Sequence, residues 1–134
     1  MPNGFQGSLE EWRRMEAPYI RIDPILEEFA KQHHWESLKN YHNANRFLQS
    51  NEGFNRSIWI ASMDKYGESG TYQVAINAYQ DREAQRYVKH GIVVNGVGIE
   101  DLAQALEHAR SILASWSENE LHLASEDGEK SEFL

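Results

Sequence analysis

The chain has no cysteine and only three prolines in 134 residues. Without thiols there is no disulfide framework, no thiolate zinc site, no iron–sulfur ligation and no cysteine nucleophile. That composition suits a reducing compartment, and a cytoplasmic location is the expectation. Long apolar runs are also missing. The longest uncharged, mostly apolar stretch, Gly91–Ile99, is about half the length of a membrane-spanning helix. Met1–Arg14 lacks the apolar segment of roughly 7–15 residues that marks a signal peptide. No membrane segment is expected.

Basic clusters are the third absence. Thirteen Lys and Arg stand against 21 Asp and Glu, a formal charge of −8. Phosphate polyanions are bound by grouped Lys and Arg, so the composition argues against a nucleic-acid or anionic-membrane partner. The acidity is concentrated late: residues 95–134 hold nine acids and two bases, net −7, whereas residues 1–94 hold twelve acids and eleven bases, net −1. A basic protein partner is the electrostatically easier one. With 40% apolar and 25% charged residues, the chain reads as one ordinary domain over residues 1–124, with a mobile arm at 1–7 and a polar, mobile acidic tail at 125–134.

The N-terminal third carries helix signals. Ser8 and Glu11 have capping-box spacing and predict a short helix from Leu9 to about Glu16, stopped by Pro18. Asp23-Pro24 places an acceptor at the N-cap and proline at the first helical position, predicting a helix from Pro24 to about His34 whose apolar face is Ile22, Ile25, Leu26, Phe29 and Ala30. Residues 35–55 are turn-rich in asparagine yet too apolar for a linker; an irregular packed segment is expected, with a short helix or strand near Arg46–Gln49.

The centre alternates. Ser57–Met63, Thr71–Gln80 and Gln85–Val94 predict three strands, and the short links between them predict an antiparallel meander. Asn95–Gly98 reads as a turn. Ile99, Leu102, Leu106, Ala109, Leu113 and Trp116 then recur at helical spacing, the strongest periodic signal present. Ser117 and Glu120 suggest one more helical turn. The expected fold class is α+β: a three-stranded or slightly larger antiparallel sheet packed against N-terminal helices and one long C-terminal helix. The first central strand has apolar residues on both faces, Ile58 and Ile60 against Trp59, Ala61 and Met63. Either the N-terminal helices cover the second face, or another subunit does, as in a homodimer.

No motif specifies a reaction. Gly96-Val97-Gly98 between strand and helix lacks the third glycine of a dinucleotide turn, Asp101 standing in its place. The six histidines contain no His-Glu-x-x-His, and neither a metal nor another cofactor is expected. Asp64 and Glu68 follow the first strand, Asp81 and Glu83 the second. Opposite ends of a ten-residue strand are roughly 30 Å apart, too far for paired acid–base work. A non-enzymatic module is the resulting expectation. Its candidate binding residues are Asp64, Tyr66, Glu68, Glu100 and Asp101, gathered at one end of the sheet as an acidic rim with an aromatic, together with Trp59 as a hot spot. The alternative is a small-ligand protein or enzyme with a pocket between the C-terminal helix and the sheet, using His90 with Tyr72 or Tyr87. As a small, acidic, cysteine-free α+β domain the chain is similar in type to intracellular immunity or inhibitor proteins, a likeness that no individual residue carries.

Overall fold

One row of alternate residues along a single strand organises the molecule. In the computed structural model, which describes residues 7–50, 55–81 and 86–117 (backbone only at 55, 80, 81 and 86–88), Tyr72, Val74, Ile76 and Ala78 are 0–2% exposed. They belong to β4, Thr71–Asp81, and pack under three helices: α1 (Leu9–Ile20), α2 (Asp23–His33) and α3 (Ile99–Ser115). The other strands are β1 (Glu36–Lys39), β2 (Arg46–Ser50), β3 (Asn55–Ser62) and β5 (Arg86–Gly98). Each strand pairs antiparallel with the next in the order β1-β2-β3-β4-β5. The fold is therefore α+β with a five-stranded meander, one hairpin larger than its legible centre.

The core lies between the helices and one face of the sheet. Leu48, Ile58 and Ile60 join the β4 row, and Leu26, Leu102, Leu106 and Leu113 close on them at 0–1% exposure. The α3 stripe is buried from Leu102 through Trp116, but Ile99 is 39% exposed. Side chains tilt toward a helix's N-terminus, so the first residue of α3 projects past the sheet's end.

Several local expectations are corrected. α1 continues through Pro18 to Ile20. A proline this near the C-terminus forfeits a single helical hydrogen bond, and Pro18 is buried, its carbonyl accepting from the Tyr72 hydroxyl at 2.6 Å. Ser8 caps α1 as expected, accepting from the Glu11 N–H. Asp23 caps nothing: Ile22 is the N-cap of α2, which makes no side-chain cap bond, and the Asp23 carboxylate goes to Arg46 instead. Residues 36–50 form a hairpin, β1 against β2, rather than irregular structure, and the strand alternative near Arg46–Gln49 is met by β2. Its turn is built by asparagines: Asn40 Oδ1 accepts from His42 N, and Asn43 Oδ1 from Asn45 N. Asn95–Gly98 is the end of β5 and not a turn. The predicted turn at Ser117–Glu120, the arm and the tail lie outside the described residues, apart from Gly7 and Ser117.

Gly67 fixes the β3–β4 loop against α1. Its φ is +73°, and a Cβ there would sit 2.4 Å from Pro18 Cβ. Gly67→Ala therefore meets both a left-handed backbone and a rigid ring. A loss of about 1–3 kcal/mol is expected, measured as a lower urea midpoint with an unchanged slope. An unchanged midpoint would show that the loop does not rest on Pro18.

Candidate functional site

Period-two geometry gives the sheet a second face, and none of the three described helices packs on it, so that it is the helix-free face among the described residues. Register places Leu38, Phe47, Trp59, Ala75 and Ile92 side by side across all five strands. None of these five belongs to the core cluster, and each is only half-buried. Phe47 and Trp59 stack, with ring centroids 4.8 Å apart and planes 13° from parallel. The next row on this face is polar throughout: Glu36, Gln49, Ser57, Asn77 and His90.

Trp59 joins the two rows. Its indole N–H is surrounded by acceptors: Ser57 Oγ at 3.0 Å, the Tyr79 hydroxyl at 3.1 Å and, in the amide orientation that satisfies both its ends, Asn77 Oδ1 at 2.8 Å. A single donor among three acceptors holds the ring in one orientation. Its large face is thus presented without further loss of rotamer entropy, the property of an interface anchor. Among the described residues, one polar atom on this face has no hydrogen-bond partner. Gln49 Nε2 is buried in a residue 3% exposed. Leaving such a donor unpaired costs about 1–3 kcal/mol.

Phe47 and Gln49 were not legible as site residues. Their strand is five residues long and follows a turn-rich stretch, too short for its alternation to stand out. The only signal was the apolar pair Phe47-Leu48 in polar surroundings.

The acidic end is assembled as topology requires, since Thr71 pairs with Gly98 and brings the β3–β4 loop to the start of α3. Its residues are differently employed, however. Asp64 closes its own loop, accepting from Glu68 N, Ser69 N and the Ser69 hydroxyl; the Ser69 hydroxyl, with those amides, holds its carboxyl below the usual value. Tyr66 is half-buried on α1, donating to Glu11 Oε1 at 2.7 Å with the Arg14 guanidinium 4.0 Å above its ring. The hydrogen bonds from Tyr66 and Lys65 keep the Glu11 carboxyl low. Glu68, Glu100 and Asp101 remain as exposed carboxylates. Trp59 is not part of this end; it lies mid-strand on the helix-free face.

The residues of the alternative pocket are not brought together. Tyr72 is in the core, whereas His90 pairs with Asn77 on the opposite face. The Tyr87 side chain lies outside the described residues. Alternation misplaces β5 because Val88, Val93 and Gly96 have no residue opposite them in β4. Three bulges shift the phase, so Ile92 shares a face with His90 while Val94, opposite Val74, faces the helices. The α3–sheet interface is filled by side chains at its centre, but a cleft of about 420 Å³ opens at its C-terminal end, lined by His33, Trp35, Ser50, Arg56, Arg110 and Leu113. His33 Nε2 and Arg110 Nε both bond the Glu107 carboxylate, at 2.7 and 3.2 Å. Burial pushes that carboxyl up, and the bonds from His33 and Arg110 outweigh it and lower it. Arg56 donates to the Trp116 carbonyl at the helix end.

Among the described residues no group of three or more His, Asp or Glu is placed to hold a metal ion, and no helix is long and apolar enough to cross a membrane. Asp64 and Asp81 stand at opposite ends of the sheet, either side of β4. Comparison with protein-family models, with curated proteins and with solved structures finds no match to this chain.

Proposed function

We propose that this chain is a non-enzymatic protein-binding module, acting in the cytoplasm, whose docking surface is the helix-free face of the sheet. The observation that carries the reading is the placement of Phe47 and Trp59: two stacked aromatics, the indole held by its hydrogen bonds, on the face where no described helix packs. A stable protein contact needs an apolar centre with preorganised aromatic anchors and a polar surround. Glu36 and His90, at the two ends of the adjoining row, supply polar groups beside it, while Gln49, Ser57 and Asn77 between them are buried.

The net charge of −8 makes a basic partner the one it meets fastest, steered by Glu68, Glu100 and Asp101 beyond the sheet's end. Steering by charge with retention by an aromatic patch is the behaviour of an acidic inhibitor or immunity-type protein. The absence of cysteine supports the cytoplasmic setting. Capture of a partner by the immobilised chain tests the division of labour. Reversing Glu68 and Asp101 together should slow association and flatten its salt dependence, with dissociation unchanged. Identical association rates at low and high salt in the unaltered chain would contradict steering.

The second reading, a small-ligand protein, is supported by the cleft that Arg56, Arg110, His33 and Trp35 line. A small carboxylate or phosphate that raises the melting temperature of the chain, but not of an Arg110→Ala variant, would favour it.

A further inference from the structure

We infer that the groove between α2 and α3 binds a small apolar cation, an amine carried on a compact hydrocarbon body. The groove lies on the helix side of the fold and does not depend on the helix-free face. It shares no described lining residue with the cleft at the C-terminal end of α3.

Helical period builds the groove. On α2, Ile22, Ile25, Leu26 and Phe29 form one apolar stripe. Ile22, Leu26 and Phe29 are 0–4% exposed, whereas Ile25 is only half-buried. The shortfall lies across the gap, where α3 offers Ala103. Packed helix axes are about 8–10 Å apart, and one methyl group does not fill that space. From its own side α2 adds only the fixed ring of Pro24. An open groove of about 450 Å³ remains, within the roughly 300–1,000 Å³ of small-molecule sites. Burial separates its parts. Phe29 and Leu106 are buried and, with Ile25, make an apolar floor. Pro24, Glu28 and Gln32 recur every fourth residue and form one exposed rim; Ala103 and Glu107, at the same spacing, form the other. An apolar floor with a few polar groups at the edge is the usual make-up of a ligand site.

Charge selects the head group. The described lining holds two carboxylates, Glu28 and Glu107, and no Lys or Arg. Glu107 is already bonded by His33 and Arg110. Glu28 is therefore the carboxylate that a ligand meets, and Gln32, one turn on, adds an amide carbonyl. Lys31 stands outside this lining, four residues after Glu27, the spacing of a helical ion pair. The rim thus attracts an ammonium and repels a carboxylate. An amine without a hydrocarbon body gains only an exposed ion pair, which contributes little. The body supplies the affinity by covering the floor, and the charge supplies the selection.

Adamantylammonium and adamantanecarboxylate carry the same compact cage with opposite charges and serve as probes. Ligands of this size bind with dissociation constants on the order of millimolar. Each is titrated into the full chain up to about 10 mM, and the methyl resonances of Ile25 and Leu106 are followed by NMR. The ammonium should shift both, leave those of the core residues Leu48 and Ile58 in place, and bind at least about threefold tighter than the carboxylate. Glu28→Lys should reverse that preference. Ala103→Leu fills the groove from an exposed position with a good helix former, and should weaken both cages at least about tenfold; circular dichroism checks that each variant is folded. Trp59→Ala should bind the cage as the wild type does, so this site and the docking face succeed or fail separately. Equal affinity for the two cages in the wild type would overturn the cation assignment. Undiminished binding to folded Ala103→Leu, or no methyl shift at the highest concentration, would overturn the groove itself.

Discussion

Replacing Arg46 with methionine lowers the stability of the fold by about 3–5 kcal/mol, the cost of breaking a buried ion pair from one side. Arg46 is 2% exposed and ties three elements together. Its Nε and Nη2 donate to both oxygens of Asp23 on α2, at 2.8 and 3.0 Å. Nη2 also reaches Glu16 on α1 at 3.0 Å, and Nη1 donates to the Ala44 carbonyl at 2.9 Å. The planar guanidinium lies 5.5 Å from the Tyr19 ring centroid. Methionine fills much of the volume but leaves two carboxylates facing each other with only Lys39, 2.9 Å from Glu16, to compensate. Removing the acids as well, in Arg46→Met with Glu16→Gln and Asp23→Asn, should recover most of the loss, because a neutral cluster has no unpaired charge left.

The same cluster sets an acid dependence. Burial pushes the Glu16 carboxyl up, but the hydrogen bonds from Lys39 and Arg46 outweigh it and hold it below its ordinary value of 4.5. A carboxyl lowered in the folded state adds stability above its unfolded value and loses it as pH falls through the folded one. Stability of the wild type should therefore drop on acidification below about pH 4.5 more steeply than that of Glu16→Gln. Urea midpoints measured across that window read the difference; parallel curves would show that Glu16 is not held by this network.

Trp59→Ala should weaken partner binding by about 2 kcal/mol or more, roughly thirtyfold. Leu48→Ala is its matched control. Leu48 is 0% exposed in the helix-side core, and lies between Phe47 and Gln49 on the same strand. Its truncation should cost about 2–5 kcal/mol of folding stability, yet it leaves the docking face as it was. The two variants thus rank in opposite orders. Leu48→Ala melts lower but binds like the wild type at temperatures where it is folded; Trp59→Ala melts closer to the wild type and fails to bind. Loss of binding in step with loss of stability across both variants would mean that no face is special.

What was legible in the sequence was what regular period makes legible. β4 carries a buried apolar residue at every second position from Tyr72 to Ala78, and α3 keeps one stripe from Leu102 to Trp116, so both stand out and together imply the fold class. β1 has four residues and a burial pattern that changes only once, which no window resolves. β5 has sufficient length but three bulges, and each inverts the face assigned to everything beyond it. That is why period two alone sets His90 on the same side as Val94, whereas the register sets them on opposite faces. Local spacing makes Asp23 a cap, but Arg46, 23 residues away, is the stronger partner for a carboxylate. Tyr66 shows the same limit: its place on α1 is set by Glu11 and Arg14, which chain order does not reveal. Alternation already sets Trp59 opposite Ile58 and Ile60; the register that places it beside Phe47 and the packing of the described helices on the other side show which face that is.

Residue-resolved oxidative footprinting of the tryptophans tests the central claim most directly. Trp12 and Trp116 are 5% and 4% exposed in the core, whereas Trp59 is half-buried on the helix-free face. In dilute solution Trp59 should react well ahead of Trp12 and Trp116. On complex formation its reactivity should fall toward theirs while they stay unchanged. A Trp59 already as protected as Trp12 in the dilute chain, or one that stays reactive once the complex has formed, would contradict the assignment of this face as the docking surface.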